Sequence, residues 1–284
     1  MEMFDYEFMQ RAFWAGGFLG IIAPILGVYL MLRRQVLMAD TLSHVSLAGV
    51  ALGSVLHFSP VISGFAIAII GGLVIEQLRR TYRTYSEVPV AIIMTSGLAL
   101  AVVLMSLKVN SNKSFTSYLF GSIVAVNNTQ LWMIGAVTLI GLLYFILLRR
   151  PLYNLTFDEE TAQIGGVHVK WLSFSFAVLT GMTVASAMPV VGVLLVSSLM
   201  VLPAALALRL AGGFLAAIII AVAVGLTGIF SGLTASYYIN TPPGGTIALF
   251  LLIFLIIGIA AQKLLLRGKR KNRRSAAQSV REIS

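Results

Sequence analysis

Apolar residues run through the chain in long unbroken stretches, and the few charged residues fall between them. Nine such runs can be read: Ala12–Leu32, Leu37–Leu56, Val61–Leu78, Val88–Leu107, Leu131–Leu148, Trp171–Met188, Val190–Leu208, Gly213–Ala235 and Thr246–Leu266. A helix needs about 20 apolar residues to cross the roughly 30 Å hydrocarbon core of a bilayer. The runs are of that length, and none shows the short alternating segments of an outer-membrane barrel. The pattern predicts an all-α, polytopic transmembrane helical bundle of eight or nine helices. The sixth and seventh runs are the pair it divides least sharply.

Two stretches break the rhythm. Asn110–Gln130 is too short to span yet too apolar for a solvated loop, which predicts a re-entrant or interfacial piece. Met188-Pro189-Val190-Val191-Gly192 interrupts a longer apolar region, and Pro203 follows. Proline lacks the amide hydrogen that a helix interior uses, so a broken helix or a tight turn is expected there. Small residues recur four apart at Gly16/Gly20, Gly49/Gly53 and Gly228/Gly232. That spacing predicts close helix packing and carries no information about substrate.

Composition agrees with the pattern. Of 284 residues 58% are hydrophobic and 11% charged, too little polar surface to cover a soluble domain. The net charge of +10 is concentrated at the C-terminus, where eight basic residues from Lys263 onward face one acid, Glu282. Without aromatic interleaving this tail fits an anionic lipid surface better than nucleic acid. It divides the chain into a transmembrane body, 1–268, and a basic tail, 269–284.

Arg33-Arg34, Arg79-Arg80 with Arg83, Arg149-Arg150 with Lys170, Arg209 and the tail all fall on one side of a nine-pass thread. The positive-inside rule makes that side the cytoplasm, with the N-terminus outside and the C-terminus inside. Met1–Gln10 is acidic, unlike the positive start of a cleaved signal peptide. The absence of cysteine excludes thiolate metal sites and cysteine nucleophiles.

Candidate chemistry is sparse. There is no Walker A pattern and no HExxH. His57 and His168 fall in loops, and only His44 lies within an apolar run. Asp40 and His44 stand at i and i+4, on one face of a helix one turn apart. A carboxylate and an imidazole so placed can bind a divalent metal, and ionisable residues inside a membrane are expensive enough to suggest function. The alternative is a polar pair satisfied by a neighbouring helix. Glu76 falls at comparable depth in the third run and could be a third ligand, or could pair with Arg79 at i+3. Glu87 reads as a loop residue. In the loop Arg149–Lys170, the stretch Asp158-Glu159-Glu160-Thr161-Ala162-Gln163-Ile164-Gly165-Gly166 predicts a short helix with an acidic start and a glycine stop, or simply a solvated loop.

Three stretches together carry a resemblance. Arg33 through Gly49, Pro189 through Pro203 and the Asp158–Gly166 loop are similar to the signature segments of the zinc/manganese/iron ABC-transporter permeases. The likeness runs from about residue 8 to residue 266 and is nearest to the zinc-uptake type of Gram-positive bacteria. It implies the type II-like importer permease fold in a bacterial cytoplasmic membrane. It also implies a homodimer, two cytoplasmic ATPase subunits and an extracellular metal-binding solute-binding protein.

In that reading the chain is not an enzyme, and the divalent metal ion is cargo rather than a permanent cofactor. Asp40, His44 and Glu76 would line the metal site. Asp158, Glu159, Glu160, Ala162, Gly165 and Gly166 would form the ATPase-coupling helix, and Pro189, Gly192 and Pro203 would shape a gate. Manganese-type members carry further histidines in a late helix, and Gly213–Ala235 has none. That points to zinc, with manganese or iron as the alternative. An ATP-independent secondary transporter would show inverted repeats, and none is evident. An intramembrane enzyme would need a nucleophile facing a base, and adjacent Ser43 and His44 do not face each other on a helix.

Overall fold

The computed structural model describes residues 6–82, 87–107, 112–122 and 126–283, the side chains of 112–115 and of 265–283 excepted. Among them the secondary structure is entirely helical: α1 Glu7–Leu32, α2 Val36–Val55, α3 Pro60–Thr81, α4 Glu87–Ser106, α5 Asn112–Phe120, α6 Asn128–Leu147, α7 Arg149–Phe157, α8 Glu159–Ile164, α9 Val169–Val191, α10 Val196–Leu210, α11 Phe214–Ile239 and α12 Pro243–Ile283. Eight are long and apolar enough to cross a membrane: α1, α2, α3, α4, α6, α9, α11 and the Pro243–Leu264 part of α12. The backbone of α12 runs past residue 268 without interruption.

The seventh apolar run does not form a ninth helix of spanning length. It nevertheless carries the chain from Val191, packed on Gly244 at the start of α12, to Arg209, whose carbonyl accepts from Gln262 near the other end of that helix's apolar part. The run's first two residues extend α9, and most of the remainder forms α10, whose 15 residues reach about 22 Å at 1.5 Å each, short of a bilayer core. Pro189 does not break α9, which continues through Val191 and stops at Gly192 with φ +84°. Pro203 likewise sits inside α10. The hydropathy pattern could not place this break, because both sides of it are equally apolar.

Three helices form the interior. In α1, α2 and α9 most of the apolar core faces protein, whereas α4, α11 and α12 each bury only one stripe. Tyr29 of α1 anchors the centre, stacked on Phe145 at 4.9 Å and edge-on to Phe214 at 5.3 Å. Small residues bring the backbones together where the spacing predicts. A Cβ at Gly20 of α1 would come within 2.8 Å of Leu226 on α11, and one at Gly49 of α2 within 2.9 Å of the Gly64 backbone on α3.

The expected re-entrant piece contains α5, whose nine residues are far too few to span; 110, 111 and 123–125 of that stretch lie outside the described residues. The end of α5 is strapped to the break after α9. Val193 N–H donates to the Tyr118 carbonyl at 2.9 Å, Leu194 N–H to Leu119 at 3.3 Å, and Ser122 N–H to Pro189 at 3.1 Å. Gly121 and Gly192 both have positive φ, and a Cβ on Gly192 would lie 2.4 Å from the Leu119 carbonyl oxygen. Only glycine allows the two backbones this approach in this conformation.

Candidate functional site

The site begins at the turn between α1 and α2, where Arg34 takes φ +56° and Gln35 leads into α2. One turn into α2 stands Asp40, and one turn further His44. Asp40 is half-buried, and its Oδ1 accepts a long hydrogen bond from Ser197 Oγ at 3.4 Å. Ser197 lies in the first turn of α10, immediately after the break at Gly192. The carboxylate thus meets the positive end of a second helix.

His44 is 8% exposed, and its Nδ1 has no hydrogen-bond partner. Leaving a buried polar atom unsatisfied costs about 1–3 kcal/mol. The hydroxyls around it are not short of partners. Thr41 donates to the Leu37 carbonyl at 2.9 Å, Ser43 to Ala39 at 2.9 Å and Ser46 to Gly64 across on α3 at 3.2 Å. An orphan imidazole nitrogen among satisfied hydroxyls, one turn from a carboxylate that has no cationic partner among the described residues, is a geometry suited to a metal ion.

Glu76 stands differently. It is 1% exposed. Arg79 Nη1 reaches Oε2 at 3.0 Å and Arg80 Nε reaches Oε1 at 3.0 Å, so both oxygens are occupied. Among the described residues no three of His, Cys, Asp and Glu gather where they could hold a metal. Glu76 is therefore not brought together with Asp40 and His44 here; it makes the i+3 pair with Arg79 and adds an i+4 pair with Arg80. His57 is exposed in the turn after α2 with φ +58°, His168 precedes α9, and Glu87 is exposed at the start of α4.

The acidic loop folds into the short helix its sequence suggests. Asp158 caps α8 by accepting from Glu160 N–H and Thr161 N–H, both at 3.1 Å. The Thr161 hydroxyl and backbone amide, donating to the carboxylate, hold Asp158 below the ordinary carboxyl range. Gly165 closes the helix, and Gly166 turns the chain away with φ +81°. Glu159, Glu160 and Gln163 point outward, whereas Ala162 is 2% exposed and seats the helix on the bundle. Ile164 is 88% exposed, an apolar tip that sequence reading passed over although it is the one large apolar residue in Asp158–Gly166. Ser197 was also passed over; no local signal ties it to Asp40, 157 positions away.

The profile of the ABC 3 transport family matches residues 5–262. The chain belongs to that family. It is 32% identical over 244 residues to the high-affinity zinc uptake system membrane protein ZnuB of Haemophilus influenzae, covering 86% of this chain and 94% of that one. It is 31% identical over 253 residues to the manganese import system permease protein ScaB of Streptococcus parasanguinis, covering 89% and 90%. Among solved structures, PsaBC from Streptococcus pneumoniae in complex with Fab superposes with a TM-score of 0.80 at 28% identity, covering 90% of this chain and 94% of that one. The chain is thus a multi-pass permease subunit of a metal ABC importer, with ATP hydrolysis on a separate subunit. Its relatives carry the names of more than one metal system.

Proposed function

We propose that the chain carries zinc through the membrane as one half of a homodimer, with Asp40 and His44 as the protein ligands of a transient site. The observation that carries this reading is the buried His44 with its unpartnered Nδ1, one turn above Asp40. Imidazole nitrogen and carboxylate oxygen suit zinc, and the lack of thiolates suits an ion that must leave again. Two ligands per chain leave coordination open for water, for a second copy, or for Glu76 once its arginines let go. By the Irving–Williams order zinc binds more tightly than manganese at almost any such donor set. The tilt towards zinc therefore comes from the lack of further histidines in Gly213–Ala235 and not from affinity order.

The basic end of the bundle faces the cytoplasm, which places the C-terminus inside and the break at Gly192 towards the outer half as a gate, with Pro189 and Pro203 stiffening the helices on either side. A solute-binding protein delivers metal at the outer face. α8 seats in the ATPase subunit through Ile164, Glu160 and Gln163, with Asp158, Gly165 and Gly166 shaping the helix.

The test is uptake of radioactive zinc and manganese by vesicles holding the assembled importer, with loaded solute-binding protein outside. Asp40→Ala and His44→Ala should abolish zinc uptake while the ATPase subunit still co-purifies. Normal transport by both variants would make these residues packing groups and move the path elsewhere. A manganese rate above the zinc rate at equal loading would name manganese as the substrate instead.

A further inference from the structure

The least expected feature of the basic end is a chain of charges joining the short helix α8 to the transmembrane core. Arg80 Nη2 lies 3.6 Å from Glu159 Oε1, on the first residue of α8, while its Nε donates to Glu76 Oε1 at 3.0 Å. The same guanidinium lies 5.9 Å from the ring of Phe174 on α9, a cation–π contact that fixes its plane. Arg79 fills the second oxygen of Glu76. Beside this cluster Arg33, at the end of α1, donates to Ser173 Oγ at 2.9 Å and covers the Phe176 ring at 5.0 Å. Burial pushes its guanidinium down to about 10, still charged at neutral pH.

Each link has a different stiffness. Glu76 is buried and held by two arginines, so it moves only with α3. Glu159 is half-exposed, on a helix of six residues that seats on the bundle mainly through Ala162. Among the described residues Arg80 is the one side chain that touches both acids. From Glu76 the connection to α2 is short. Ser46 Oγ donates to the Gly64 carbonyl, and a Cβ on Gly71 of α3 would fall 2.6 Å from Val45, the neighbour of His44. Helices packed this closely shift together rather than slide independently.

We infer that Arg80 is a positioning residue that carries movement of α8 to α3, and through α3 to the helix bearing Asp40 and His44. The inference rests on the reading of α8 as the ATPase-coupling helix. Arg80 takes no part in holding metal. Its guanidinium is suited to the task because one planar fork can engage two carboxylates at once, where a lysine is a single point charge. Removing either end of the Arg80–Glu159 link should leave an importer that hydrolyses ATP without moving α3.

The absence of cysteine allows a direct test. A single cysteine at Ile70, on the exposed face of α3, takes a spin label in the otherwise unchanged importer with its ATPase subunit. Binding of a non-hydrolysable ATP analogue should change the label's spectrum in the parent protein. Arg80→Gln and Glu159→Gln should each abolish the change, the double variant should add nothing, and Arg80→Lys should recover part of it. In parallel, ATP hydrolysed per zinc ion imported should rise at least tenfold in the two glutamine variants.

A full label response in either glutamine variant, or effects of the two that multiply in the double variant, overturns the proposal. If Glu159→Gln fails to bind the ATPase subunit, Arg80→Gln decides, because its side chain lies on α3. The label reads no metal, so a protein that responds to nucleotide but imports no zinc sinks the zinc reading and leaves the relay standing. A parent protein whose label ignores nucleotide sinks the relay.

Discussion

Two acids at one end of the bundle have opposite surroundings. Glu76 is almost fully buried and has a cation on each oxygen, whereas Asp40 is half-buried and has only a long contact to a serine. Next to Asp40 an imidazole nitrogen is buried without a partner. A group whose needs are met by its own chain is a structural joint. A group left wanting in an apolar helix is open to completion by something else, which is what the proposed site for the cargo ion requires.

Isosteric neutralisation separates the two most strongly. Asp40→Asn should lower zinc uptake more than tenfold, since even groups that only orient a metal ligand are worth about 10–100-fold. It should leave thermal stability unchanged, because no ion pair is lost. His44→Ala should behave alike. The check is uptake beside a thermal unfolding series in detergent. A large drop in melting temperature with uptake intact would exchange the roles of the two acids.

Glu76→Gln should show the opposite profile. Breaking a buried ion pair by removing one partner costs about 3–5 kcal/mol, because the remaining charges stay buried. Arg79 and Arg80 retain some solvent access, which places this variant at the lower end of that range. Its melting temperature should fall by several degrees, while zinc binding by the ATP-free permease stays within about twofold, RT ln 2 being only about 0.4 kcal/mol. Loss of zinc binding with stability kept would make Glu76 the third ligand after all.

How much of this was legible in the chain follows from the same contrast. The bundle was readable because membrane-crossing helices must be long and continuously apolar, a requirement written into the sequence itself. That Asp40 and His44 share one face of a helix was readable because i and i+4 fix a face without any tertiary knowledge. The choice between Arg79 and a metal for Glu76 was not, since both partners are compatible with the same helix. The break after α9 was expected within Met188–Gly192 and falls at the last of these residues, because proline is tolerated inside a well-packed membrane helix and Gly192 is the residue whose φ ends it. The link from Arg80 to Glu159 joins residues 79 positions apart, and no local spacing encodes it.

The contact between Asp40 and Ser197 gives a smaller effect in the same comparison. At 3.4 Å it is a weak hydrogen bond, worth less than the roughly 1 kcal/mol of a well-formed one. Ser197→Ala should therefore change apparent zinc affinity by about fivefold or less, measured by competition with a fluorescent chelator. A loss as large as that of Asp40→Asn would show that Ser197 is itself a ligand, and would move the site towards the break after α9.

A third acid, Asp158, sharpens the comparison from the far side, because it is exposed yet fully engaged by the first turn of α8. Its folded carboxyl is lowered by the Thr161 hydroxyl and the backbone amides. A depressed folded value means the cap contributes fully above the ordinary carboxyl range and is lost as pH falls through the lowered value. Asparagine keeps an acceptor oxygen but does not titrate. Binding of the ATPase subunit to wild type should therefore weaken relative to Asp158→Asn as pH is lowered from the ordinary aspartate value of about 4 towards the lowered one. Asp158→Ala should be weaker than both at neutral pH, by about threefold at most. Glu159 and Glu160 are common to both proteins, so the difference between wild type and Asp158→Asn isolates the cap. A difference that does not vary with pH would mean that α8 is held by Ala162 and its neighbours alone, and that the acidic start serves the partner surface instead of the helix.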